Sequence, residues 1–136
     1  MLLLALDVGD VRVGIALLDT TAGVPLPLGA WNRAKGEAEQ RIIALCSERS
    51  IEHILVGLPL SDDDRENSQC DKVRNFSRRL GMRINAQMEF IDEYLSSEEA
   101  LQRLREQGNR RPEPGQIDAL AAAILLERYL QGEKKL

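Results

Sequence analysis

The chain has 136 residues, a length that fits one domain and buries roughly two-thirds of its unfolded surface without disulfide or metal staples. Hydrophobic residues make up 43% and charged residues 29%, which excludes a disordered chain. Eighteen basic against 22 acidic residues leave a net charge of −4, excluding a protein that coats nucleic acid by bulk charge but not an acidic enzyme that meets phosphate through cations.

Leu2 to Leu6 is apolar throughout and ends in Asp7, the pattern of a strand buried on both faces. After a turn at Val8-Gly9-Asp10, Val13 to Leu18 reads as a second strand closed by Asp19, and strands so closely joined run antiparallel. Leu28 to Trp31, anchored by the tryptophan, is a weak third strand behind Pro25 and Pro27. Gly36 to Arg49 switches to helical spacing, with Ile42, Ile43, Leu45 and Cys46 on one side. Ile54 to Val56 is a short buried strand with the lone histidine, His53, at its edge; Ser61 to Asn67 is an exposed acidic loop. Val73, Phe76 and Leu80 stripe a second helix that stops at Gly81. Met88 to Asp92 is another strand, and Ser96 or Ser97 is placed to cap a helix running to Gln107 before Gly108. Asn109 to Gly115 is a linker, and the last helix runs from about Gln116 to Leu130.

Strands and helices alternating after a hairpin predict an α/β fold over residues 1–136 with a mixed sheet. The strands starting at Leu2, Ile54 and Met88 are expected to be parallel. Cys46 and Cys70 form no CxxC pair or Cys/His cluster, which argues against structural zinc. Cys46 is expected in the core and Cys70 at the surface. The longest wholly apolar run, Ala119 to Leu126, is too short to cross a bilayer, and the N-terminus lacks the basic flank of a signal peptide. Cytoplasmic residence and no membrane contact are the expectation.

Three carboxylates stand where carboxylates are costly. Asp7 ends the most apolar strand, where an unpaired charge forces protonation, a partner or a metal; capping of the Gly9 turn is the alternative. In Asp92-Glu93 one side chain must point back to the sheet edge, unless both sit in a solvated turn before Ser96. Asp118 is the sole charge from Ile117 to Leu126, which points to a polar site rather than to macrodipole stabilisation alone. Ligands gather beyond the carboxyl ends of parallel strands, where Asp7 and Glu93 lie and where the last helix can bring Asp118. Such acids repel unless cations neutralise them, and all-oxygen ligation suits Mg²⁺ or Mn²⁺, in a pair for phosphodiester cleavage. Between Lys72 and Arg83 stand five basic residues and no acid. Lys72, Arg74, Arg78 and Arg79, with Arg12, Arg110 and Arg111, are candidate phosphate contacts; an ordinary solvated helix face is the alternative, with Arg12 and the linker pair the stronger candidates beside the carboxylates.

Asp7-Val8-Gly9, Arg12 to Ala16, Val56 to Leu60, Lys72-Val73-Arg74, Asp92-Glu93 with Leu95, and Ile117 to Ala122 together resemble the YqgF/RuvX family, in order and over essentially the whole chain. The resemblance implies an RNase H-like fold related to the junction resolvase RuvC. It implies a nuclease maturing the 5′ end of pre-16S rRNA, with Asp7, Glu93 and Asp118 as catalytic and metal-binding triad. Tyr94 stands where the family usually has arginine; it cannot clamp phosphate bidentately and is instead suited to stack on an unpaired base. Asp10 replaces the usual threonine, and the linker before the last helix is less basic than the family's. Nucleic acid is the expected partner, pre-rRNA or branched DNA, bound by a monomer or homodimer. Cleavage of a four-way DNA junction and binding with weakened chemistry are the rival functions, and an actin-like ATPase is disfavoured by length.

Overall fold

A computed structural model describes residues 1–133 and 136. The chain order is β1 (Leu2–Val8), β2 (Arg12–Asp19), β3 (Leu26–Asn32), α1 (Glu37–Arg49), β4 (His53–Leu58), α2 (Ser68–Gly81), β5 (Gln87–Asp92), α3 (Ser96–Glu106) and α4 (Pro114–Leu130). The five strands form one sheet in the order β3-β2-β1-β4-β5. β1–β2 and β2–β3 pair antiparallel, whereas β1–β4 and β4–β5 pair parallel, as the hairpin start and the later alternation predict.

The apolar runs of β1, β2 and β4 are explained by burial on both faces. On one face Leu4, Leu6, Val13, Ile15, Ile54 and Val56 pack against α1 and α2 through Ile42, Val73 and Phe76. On the other, Leu3, Ala5, Ala16, Leu18, Leu55 and Ile91 meet Ala122, Leu125 and Leu126 of α4. Helix α3 covers the outer side of α4, where Ala100 packs on Ala121 and Ile124. This encasement is why α4 is apolar nearly all round.

Four local expectations are corrected. Strand β3 begins at Leu26 and includes Pro27; it is an edge strand, where the missing N–H of proline is tolerated. Helix α3 is not capped by a serine: Leu95, at φ 59°, takes the N-cap position, and Ser96 is buried as the first helical residue. Helix α4 starts earlier, with Pro114 in its first turn and a reciprocal box between Glu113 and Gln116. Cys70 is fully buried, because the Asn67 side chain accepts from its N–H and turns its thiol onto the Pro59 carbonyl at 3.3 Å. Cys46 is buried as expected, and burial pushes its thiol up to about 11.

Candidate active site

Side-chain alternation along β1 sends Leu3, Ala5 and therefore Asp7 to the α4 face. Asp7 pairs across the sheet with Gly14 of β2. On its other side, one step past the Leu6–Val56 pair, comes Gly57 of β4. A methyl group on Gly14 would collide with the backbone carbonyl of Asp118. One on Gly57 would stand 2.6 Å from Glu93 Oε2 and 2.9 Å from Leu125 Cδ1. The two glycines thus clear the space on either side of Asp7 that lets α4 and Glu93 approach. The sequence reading passed over this role, although glycine inside an apolar strand is a signal of close backbone approach.

Glu93 directly follows β5 and stays bound to the sheet through its N–H, which donates to the Leu58 carbonyl at 3.2 Å. The next turn is held by Asp92, whose Oδ1 accepts from Tyr94 N–H at 2.9 Å. Asp92 is therefore the structural member of the acidic pair, and Glu93 the one turned into the site. The Glu93 carboxyl lies against that of Asp7. Burial raises the pKa of both groups. Glu93 rises well above the ordinary range, as the nearby charges of Asp7 and Asp92 add to burial. Arg128 of α4 opposes that rise; its side chain is 15% exposed and donates to the Asp92 carbonyl at 3.2 Å. Glu93 Oε2 is buried with no hydrogen-bond partner.

Asp118 is the third acid, close enough to raise Asp7 further by repulsion. With α4 starting at Pro114 it lies beyond the first turn, where the macrodipole is weak, so that account of its presence loses ground. Its carboxylate, 23% exposed, is engaged by Arg12, Nε to Oδ2 at 2.8 Å. The structure therefore joins Asp7 and Glu93 directly and sets Asp118 beside them on its own cation. Among the described residues no three acidic, histidine or cysteine side chains stand as a closed metal cage. The alternative role for Asp7 as a turn cap is not taken up: the Gly9 N–H goes to the Arg12 carbonyl, and Arg33 Nη1 binds the Gly9 carbonyl at 2.8 Å. A buried pair of acids, an orphaned acceptor and a third carboxylate alongside fit a hard divalent cation, which would neutralise the pair and give Oε2 a partner.

The basic residues divide. Lys72 lies 3.7 Å from Asp10 of the active-site turn. Arg74 is committed to Glu66 by two 2.7 Å contacts and stacks over Phe90. Arg78 binds Asn75, and Arg79 is exposed, both towards the end of α2 that leads away from the acids. Arg110 and Arg111 are exposed just before α4. Tyr94 is 42% exposed beside Glu93.

Comparison with known proteins identifies the family and the fold. The model of the RuvX family, described as Holliday junction resolvase, matches residues 1–132. A Chloroflexus aurantiacus protein named "Putative pre-16S rRNA nuclease" is 36% identical over 135 residues, covering 98% of this chain and 88% of the relative. Bearers of the same name in Fusobacterium nucleatum and an Anaeromyxobacter species are 34% and 37% identical, covering 96% and 95% of this chain and 97% and 96% of theirs. Thermus thermophilus RuvC in complex with a Holliday junction substrate superposes with a TM-score of 0.58 at 16% identity, covering 100% of this chain and 99% of that one. The fowlpox virus Holliday junction resolvase gives 0.51 at 13%, covering 97% and 99%. These structural likenesses show a shared RuvC-like, RNase H-type fold. With the sequence matches spanning nearly its full length, the chain belongs to the RuvX family of nucleases.

Proposed function

We propose that the protein is a divalent-metal-dependent nuclease that hydrolyses structured RNA, maturing the 5′ end of pre-16S rRNA during ribosome biogenesis. The observation that carries this reading is the buried Asp7–Glu93 pair with its unpartnered Oε2, facing Asp118 beyond the carboxyl ends of β1, β4 and β5. The names of the curated relatives supply the RNA substrate.

Asp7, Glu93 and Asp118 would hold Mg²⁺ or Mn²⁺, two ions in the full site, which when bound supply charge neutralisation and acidify the attacking water. Asp7, flanked by glycines, is the group that the other two acids face. Glu93, whose charged form is disfavoured by burial, would be held ionised by the cation. Asp118, once drawn to the cation, would leave the Arg12 guanidinium, 36% exposed, free to take a phosphate oxygen. Arg110, Arg111 and Lys72 extend the phosphate track, Arg78 and Arg79 meet a longer substrate along α2, and Arg74 shapes the loop through Glu66 rather than binding phosphate itself. No residue of the chain need serve as nucleophile.

The test compares wild type, Asp7→Asn and Glu93→Gln with Mg²⁺ or Mn²⁺ on a pre-rRNA leader, single-stranded RNA and DNA, and a four-way DNA junction. Cleavage of the leader by wild type alone, abolished by chelator, is the expected result. Metal-independent cutting, or cutting retained in Asp7→Asn, removes the reading. The description of the family favours the junction as second substrate, and preferential junction cleavage by a symmetric dimer would establish it.

A further inference from the structure

A groove of about 310 Å³ opens beside Glu93, between the loop that leaves β4 and the one that leaves β5. Pro59 and Leu60 form one wall; Tyr94 and Leu95, 42% and 51% exposed, form the other. Leu95 holds a left-handed backbone at φ 59°, uncommon for a branched side chain, and makes no capping hydrogen bond in return. That conformation presents an apolar side chain to solvent next to the acids, and strain of this kind clusters at functional sites.

The polar groups of the groove are carboxylates and hydroxyls, chiefly Asp62, Glu98 and the inward Glu93; none of its lining residues is Lys, Arg or His. Such a lining repels phosphate and accepts N–H donors. Asp62 and Tyr94 line the same groove, so ring and carboxylate face one site.

We infer that this groove seats an unpaired guanine adjoining the scissile phosphate, with its ring against Tyr94 and Leu95 and its Watson–Crick edge on the Asp62 carboxylate. Guanine is singled out because its N1–H and N2–H are two parallel donors that match the two oxygens of one carboxylate. Adenine and cytosine place an acceptor beside their amino group, and uracil flanks its single donor with two acceptors. The inference rests on the nuclease reading, since it takes Glu93 to mark the point of cleavage.

The test uses labelled single-stranded oligouridylates carrying one central guanine, inosine or adenine. Binding to full-length Asp7→Asn protein with Mg²⁺ is followed by fluorescence anisotropy, and wild-type cleavage is mapped in parallel. Guanine is expected to bind about tenfold tighter than inosine, which lacks the N2 amino group. Asp62→Asn should bring that ratio close to one, whereas Leu95→Ala and Tyr94→Ala should weaken all three sequences together. Equal affinity for guanine and inosine, a preference untouched by Asp62→Asn, or no binding to any oligomer overturns the inference. Metal-dependent cleavage without base preference removes the groove and leaves the nuclease; preference without cleavage does the reverse.

Discussion

At the scale of the residue, the telling feature is a proton. Asp7 and Glu93 both hold protons more tightly in the folded protein than in the unfolded chain, chiefly because burial penalises their charge. A raised folded value means that the stability these groups contribute is fully present below the ordinary carboxylate range, about pH 4, and is lost as pH rises through the folded values. In chelator, the melting temperature should therefore fall as pH climbs from about 4 towards neutrality. Asp7→Asn should flatten that fall, and saturating Mg²⁺ should reverse it in wild type only. A melting temperature independent of pH in chelator would show that the pair is not strained. Asp7 and Asp118 stood out in the sequence because each interrupts an apolar run, whereas Glu93, behind Asp92, was told from its neighbour only by the family resemblance. The partners of the basic residues were not legible: Arg74 reads as a free cation in a string of letters, and only the folded loop brings Glu66 to it. Burial of Cys70 was hidden for the same reason, since it depends on where Asn67 starts a helix.

Elements position these residues through what they lack. Gly14 and Gly57 sit on the same sheet face as Asp7, on the neighbouring strands. Gly57→Ala inserts a methyl group 2.6 Å from Glu93 Oε2 and 2.9 Å from Leu125, so it should destabilise the fold by about 1–3 kcal/mol and depress cleavage more than stability alone explains. Thermal denaturation with parallel kinetics checks this; an unchanged turnover rate would mean that Glu93 does not need its present position. The strand pattern made the sheet readable, as unbroken apolar runs in β1, β2 and β4 demanded cover on both faces. Ends of elements were less readable. β3 runs on through Pro27 because nothing pairs on that side, and α4 begins at Pro114 because Glu113 and Gln116 satisfy its first turn. The first depends on where the strand sits in the sheet; the second is a local box inside what reads as a linker.

For the molecule as a whole, the sign of the charge sets how it meets a polyanion. A net charge of −4 confines attraction to a few cations: Arg12 beside the acids, Lys72 on α2, and Arg110 and Arg111 ahead of α4. Binding should accordingly weaken only gently with salt. Replacing Arg110 and Arg111 together with glutamine should lower the slope of log affinity against log salt by roughly 1.5 to 2. An unchanged slope in a salt titration by anisotropy would place the backbone contacts elsewhere. One further property follows from the order of the parts. All five strands, and with them Asp7 and Glu93, precede α4 in the chain, whereas Asp118 and Arg128 ride on that helix. A polypeptide still being translated therefore leaves the ribosome with its third acid last, and the blade is assembled only after every strand of the handle has been made.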